Sequence, residues 1–151
     1  MPPKKMEALF PESDYRVVIT SSVLGRIGLE GYGLYAATKA ALDRFAEVYR
    51  LERGKRGQLV LVNPLAVRSG FFRAAGGGPV PWLSQSPEAA ARAVLRGIKK
   101  DRETIYTSWI LPTMLLVHHL LPFTRRWYQA LDGRVQRRHW TTREKEESLH
   151  E

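Results

Sequence analysis

The chain contains no cysteine. That excludes a disulfide framework, thiolate nucleophiles and zinc sites built on cysteine, and it leaves the redox compartment open. Long apolar runs are also missing. Nothing approaches the roughly 18 consecutive apolar residues of a membrane-spanning helix, and the opening "MPPKKMEALFPESDY" has no apolar stretch that would serve as a secretory signal. Acidic residues are scarce beside basic ones, 15 against 24, which gives a formal charge of +9. Such an excess suits phosphate groups, nucleic acid or an anionic membrane surface without choosing among them. The basic residues follow no recognition motif, so nucleic acid is not an expected partner.

What is present suits one globular domain: 151 residues, 44% hydrophobic and 26% charged. Residues 1–15 hold three prolines among mixed charges and read as a poorly ordered lead-in. "RVVITSS" from Arg16 is a β-branched run that reads as a buried strand. "VLGRIGLEGYG" reads as a loop. From about Tyr32 to Arg53 the pattern turns helical, with Ala41, Leu42, Phe45, Val48 and Tyr49 on one expected core face. "QLVLVN" is a second buried strand closed by Pro64, and residues 70–85 read as irregular. A second helix should start after Ser86, an N-cap, with Pro87 at its first position and Glu88 near its positive end. Its core face would be Ala90, Ala93, Val94, Gly97 and Ile98. "TIYTS" from Thr104 is a third strand. Strand, helix, strand, helix, strand is the alternation of an α/β fold with a parallel sheet.

Within the first helix, "YAATKAALDRF" places Tyr35 and Lys39 at i and i+4, neighbours on one face. A cation beside a phenol favours the phenolate. A tyrosine so tuned can give a proton to a developing alkoxide or take one from an alcohol. Ser22, at the end of the first strand and thirteen residues before Tyr35, can hydrogen-bond the same substrate oxygen. The bland reading is an aromatic stem lying along a solvated helix face.

Taken together, "VVITSS…YAATKAALDRFAEVYRLE…GQLVLVNPLAV" resembles the second half of a short-chain dehydrogenase/reductase, over roughly residues 15–108. The resemblance implies a partial Rossmann-like, doubly wound parallel sheet. It makes Tyr35 the acid or base, Ser22 the residue that orients the substrate oxygen, and Lys39 a partner of both Tyr35 and the nicotinamide ribose. Ser21 is the alternative serine, one residue out of register. In "PLAVRS", Pro64, Val67 and Ser69 match the family's turn against the nicotinamide, with serine in place of threonine and Leu65 in place of glycine. The implied cofactor is NAD or NADP, and the implied substrate a small alcohol or carbonyl of hydrophobic character. The implied place is the cytoplasm, and a homo-oligomer is an option.

The family's glycine-rich phosphate loop does not precede Ser22 in these residues. Gly76 to Gly78 do not replace it, since they open no helix and Pro79 and Pro81 follow; the resemblance puts a mobile substrate loop there. The expectation is a truncated form, inactive alone. The alternative is a non-catalytic remnant that binds a partner or a membrane surface. The 109–140 segment supports the membrane option. Its apolar run Trp109–Phe123 is too short to span, and Arg125, Arg126, Arg134, Arg137 and Arg138 follow with Trp127 and Trp140. A helix covering the substrate pocket or a partner subunit is the other reading. His118 and His119 point about 100° apart on a helix, so no metal site is expected. Residues 141–151 form a charged tail.

Overall fold

In a computed structural model of the chain, residues 8–9, 14–52, 57–74, 80–81, 83–121, 123–124 and 129–130 are described. The expectations for Gly76 to Gly78, for Arg125, Arg126, Arg134, Arg137 and Arg138, and for the 141–151 tail lie outside them.

Three strands form one parallel sheet in the order β1 (Tyr15–Thr20), β2 (Gly57–Asn63), β3 (Thr104–Tyr106). Tyr15 pairs with Gly57 and Thr20 with Val62, while Leu61 pairs with Thr104 and Asn63 with Tyr106. The central strand is buried on both faces, as expected for parallel strands with helices packed on each side. Alternation along β2 divides the core. Leu59 and Leu61 meet Ala46 and Tyr49 of α1 (Gly33–Glu52), with Ile19 beside them. Val60 and Val62 meet Ile105 and, from α3 (Pro87–Lys99), Val94 and Ile98. The result is three layers, helix on sheet on helix, consistent with a partial Rossmann-like fold.

The face of α1 differs from the expected one. Ala46 and Tyr49 are buried and Leu42 is half-buried, but Ala41, Phe45 and Val48 are exposed. The small Ala46 lets the helix sit close to β2, and a three-stranded sheet is too narrow to cover the rest of the apolar stripe. The face of α3 matches its pattern. Gly97 is buried there, and a Cβ on it would lie 2.6 Å from the Ile105 side chain.

Ser86 caps α3, its hydroxyl accepting from Ala89 N at 3.2 Å. The backbone N–H of Glu88 and then the Ser86 hydroxyl hold the exposed Glu88 carboxyl below its ordinary value. A depressed carboxylate favours the folded state above its unfolded pKa, and that contribution fades as the pH falls through the lowered folded one.

Within the stretch expected to be irregular, Phe71–Ala74 form one helical turn, α2. Beyond β3, α4 spans Ile110–Leu120. Pro112 falls in its first turn, where no intrahelical partner is needed for the missing N–H. Among the described residues, no helix is long and apolar enough to cross a membrane.

Candidate active site

The end of β1 turns into a 3-10 segment, Val23–Gly25, that runs against α1. Ser22 caps it: its hydroxyl accepts from Leu24 N at 3.2 Å. Gly25 permits the approach. A Cβ there would lie 2.8 Å from the Lys39 carbonyl carbon and 2.9 Å from its oxygen, backbone atoms that cannot swing aside. Gly25→Ala is therefore expected to push the turn off α1 and lower stability by about 1–3 kcal/mol. Urea unfolding measures the loss, and an unchanged midpoint would mean the turn has room to give.

Above the strand ends lies a cavity of about 360 Å³. Ser22, Tyr35, Pro64, Val67 and Ser69 all line it. Five of the six expected site residues thus meet in one place, contributed by the ends of β1 and β2 and by the first turn of α1. Lys39 is the exception. Its Nζ donates to the Thr20 carbonyl at 3.0 Å and stands 5.4 Å from the Tyr35 ring centroid, so it touches the tyrosine without lining the cavity. The Phe71 ring of α2 lies 5.2 Å from that of Tyr35 and closes its side. Ile110, Leu111 and Met114 of α4 form a further wall. Among the described residues, no charged side chain lines the cavity.

The two adjacent serines do different things. Ser21, pointing to the α1 side, donates to Asp43 at 2.6 Å and stands 3.1 Å from the Lys39 carbonyl. Asp43 in turn accepts from Arg26 at 2.7 Å, and Arg26 donates to the Tyr106 hydroxyl at 2.7 Å. Strand end, helix, loop and last strand are thereby tied by one polar chain. Its central carboxylate is largely buried, which strengthens each bond in it. Asp43 was detectable from the sequence, since Tyr35, Lys39 and Asp43 recur at four-residue steps on one helix face. Arg26 and Tyr106 carried no such signal.

The loop after β2 is held from outside. Leu65 N donates to the Thr107 hydroxyl at 2.9 Å, Gln85 N to the Ala66 carbonyl at 2.8 Å, and Arg68 N to the Gln85 carbonyl at 2.9 Å. Gln85 also donates its side-chain amide to Thr107. Gln85 and Thr107 thus fix the positions of Pro64, Val67 and Ser69, and neither stood out by residue type. Among the described residues, no group of three or more His, Asp or Glu could hold a metal ion.

Residues 5–76 match the family described as short chain dehydrogenase. This stretch, a little under half of the chain, resembles that family. The uncharacterized oxidoreductase YbbO of Escherichia coli K12 is 37% identical over 67 residues, 44% of this chain and 25% of that protein. The hydroxynaphthalene reductase arp2 of Aspergillus fumigatus is 34% identical over 59 residues, 38% of this chain and 22% of that protein. The chain spans about a quarter of the length of the curated relatives it matches.

Proposed function

We propose that this chain supplies the acid-base portion of an oxidoreductase site that interconverts an alcohol and a carbonyl with NAD or NADP. The observation that carries this reading is the convergence of Ser22 and Tyr35 on one apolar cavity, with the Lys39 ammonium beside the Tyr35 ring. In carbonyl reduction, Ser22 donates a hydrogen bond to the substrate oxygen. Tyr35 delivers its hydroxyl proton to that oxygen as negative charge develops on it. Lys39 stabilises the phenolate left behind. In alcohol oxidation the same proton returns to Tyr35. The nicotinamide, when bound, supplies or accepts the hydride.

Pro64, Val67 and Ser69 line the same cavity as Tyr35, and small, largely apolar side chains of this kind suit a planar ring. Leu65 also lines the cavity there and narrows the room for it. A glycine-rich turn for the pyrophosphate is not among the 151 residues. The apolar side chains among the described lining, Ile27, Leu29, Leu111 and Met114 with them, suit an apolar alcohol or ketone as substrate. A cytoplasmic site suits the soluble dinucleotide. The non-catalytic alternative draws support from the apolar side chains left exposed on α1 and α4.

Most dinucleotide affinity comes from the pyrophosphate and adenosine ends. Calorimetry on the 151-residue chain is therefore expected to show weak binding of NAD and NADP or none. Joined to a complete dinucleotide-binding half, the chain should turn over apolar ketones, followed at the reduced-nicotinamide absorbance band. A joined protein that binds cofactor tightly yet oxidises and reduces nothing would overturn the catalytic reading.

A further inference from the structure

We infer that a second cavity, the groove between α3 and β3, binds a small aromatic phosphomonoester. Its volume is about 440 Å³, within the roughly 300–1,000 Å³ usual for small-molecule sites. Arg96, Lys100 and Arg102 line it, and no carboxylate does so among the described residues. The sequence "KDRE" at 100–103 alternates the two signs, so the partners of its acidic members decide the local charge. Asp101 pairs with Arg16, and Glu103 with Arg50. Lys100 and Arg102 are thereby left without an ion pair among the described residues, and so is Arg96. Basic residues in a last helical turn offset the helix dipole, and Arg96 needs no other explanation on that ground alone. Arg102 has no such role. It lies beyond the helix, past Asp101 in the left-handed conformation at φ 52°.

The hydroxyls in the lining have the same bias. Thr107 accepts from Leu65 N and from the Gln85 amide, and Ser108 accepts from Ile110 N at 3.3 Å. Neither hydroxyl donates to a described residue, so each keeps a proton for an acceptor in the groove. Two guanidinium groups, an ammonium and two hydroxyl donors call for a ligand rich in charge and acceptors. A phosphomonoester carries close to two negative charges at neutral pH and three acceptor oxygens, and a guanidinium grips it with paired N–H groups. A carboxylate offers less of both. The rest of the lining selects the ring. Leu65, Ala93 and Ile105 supply apolar surface, and Trp109, before α4, is 77% exposed. An indole so exposed beside apolar side chains has a face available to an aromatic ring. Leu65 lines both this groove and the cavity that Tyr35 lines, and no other described residue is shared.

The test is calorimetry of the full chain with phenyl phosphate, inorganic phosphate and phenol. Neither nicotinamide nor turnover enters it, so its outcome is independent of the catalytic reading. Phenyl phosphate is expected to saturate a single site, inorganic phosphate to bind there about fivefold more weakly, and phenol not to bind. Arg96→Gln and Arg102→Gln, both at exposed positions, should each weaken both phosphates about tenfold, with circular dichroism unchanged. Trp109→Ala should cost phenyl phosphate about fivefold and leave inorganic phosphate unaffected. Lys99→Gln is the control, since it removes a like charge from the same helix end but outside the groove. A loss there equal to that of Arg96→Gln would mean diffuse attraction to a cationic surface and would overturn the site. So would the absence of saturable phenyl phosphate binding, indifference to both arginine changes, or phenol binding as tightly as phenyl phosphate. Equal phenyl phosphate affinity in Trp109→Ala would overturn the aromatic part of the assignment.

Discussion

Tyr35→Phe, made in this chain joined to a complete dinucleotide-binding half, is expected to lower turnover on the order of 10²–10⁴-fold, the range typical of a lost general acid or base. Phenylalanine keeps the ring that packs against Phe71 and lies beside Lys39, so the cavity should keep its shape and cofactor affinity should change little. The loss should appear in kcat and in kcat/KM alike, because the proton is delivered only as charge develops on the substrate oxygen. Steady-state assays on both variants, with cofactor affinity measured separately by calorimetry, divide chemistry from binding. Full activity in the phenylalanine variant would remove Tyr35 from the reaction. A loss confined to cofactor affinity would mean that the tyrosine shapes the cavity and does no proton transfer.

The largest effect on folding is expected from Leu61→Ala. Leu61 is 1% exposed, lies on the central strand and packs against the Ala46 and Tyr49 side of α1. Truncating a leucine in such a place costs about 2–5 kcal/mol, through lost burial and the cavity left behind. Domains of this size have only about 5–15 kcal/mol in total, so the variant should be partly unfolded at modest temperature. Leu34→Ala is the matching control, since Leu34 is 84% exposed and its loss should stay within about 0.5 kcal/mol. Urea unfolding of the two variants beside the parent measures both. A Leu61→Ala loss no larger than that of Leu34→Ala would mean the three layers do not pack as described.

The strands were legible because β-branched residues in short runs between turn residues have few other ways to be buried. Residue types point to RVVITSS from Arg16, QLVLVN from Gln58 and TIYTS from Thr104, and the strands occupy Tyr15–Thr20, Gly57–Asn63 and Thr104–Tyr106. Helix α3 was legible to its cap, because Ser86, Pro87 and Glu88 each suit one specific position of a helix start. The exposed flank of α1 was not, since period alone cannot say how wide a sheet lies beneath a helix. The cavity's lining splits the same way. Ser22, Tyr35, Pro64, Val67 and Ser69 are types whose spacing carries chemistry. Ile110, Leu111 and Met114 are ordinary apolar residues, and only the path of the chain after β3 brings them to the same place.

The polar chain from Ser21 through Asp43 and Arg26 to Tyr106 bears on how quickly the molecule folds. Arg26 and Tyr106 are 80 residues apart, Arg16 and Gln58 of neighbouring strands 42, and Arg16 and Asp101 85. Each such contact must close a long loop before it returns any stabilisation. Chains dominated by separations of this kind reach the native state slowly, in contrast to bundles held by local contacts. The helix bearing Tyr35 and Lys39 can form early from its own residues, but the bond that anchors it to the last strand waits for Tyr106. During synthesis that tyrosine emerges after the helix, so the polar chain closes only once β3 has followed.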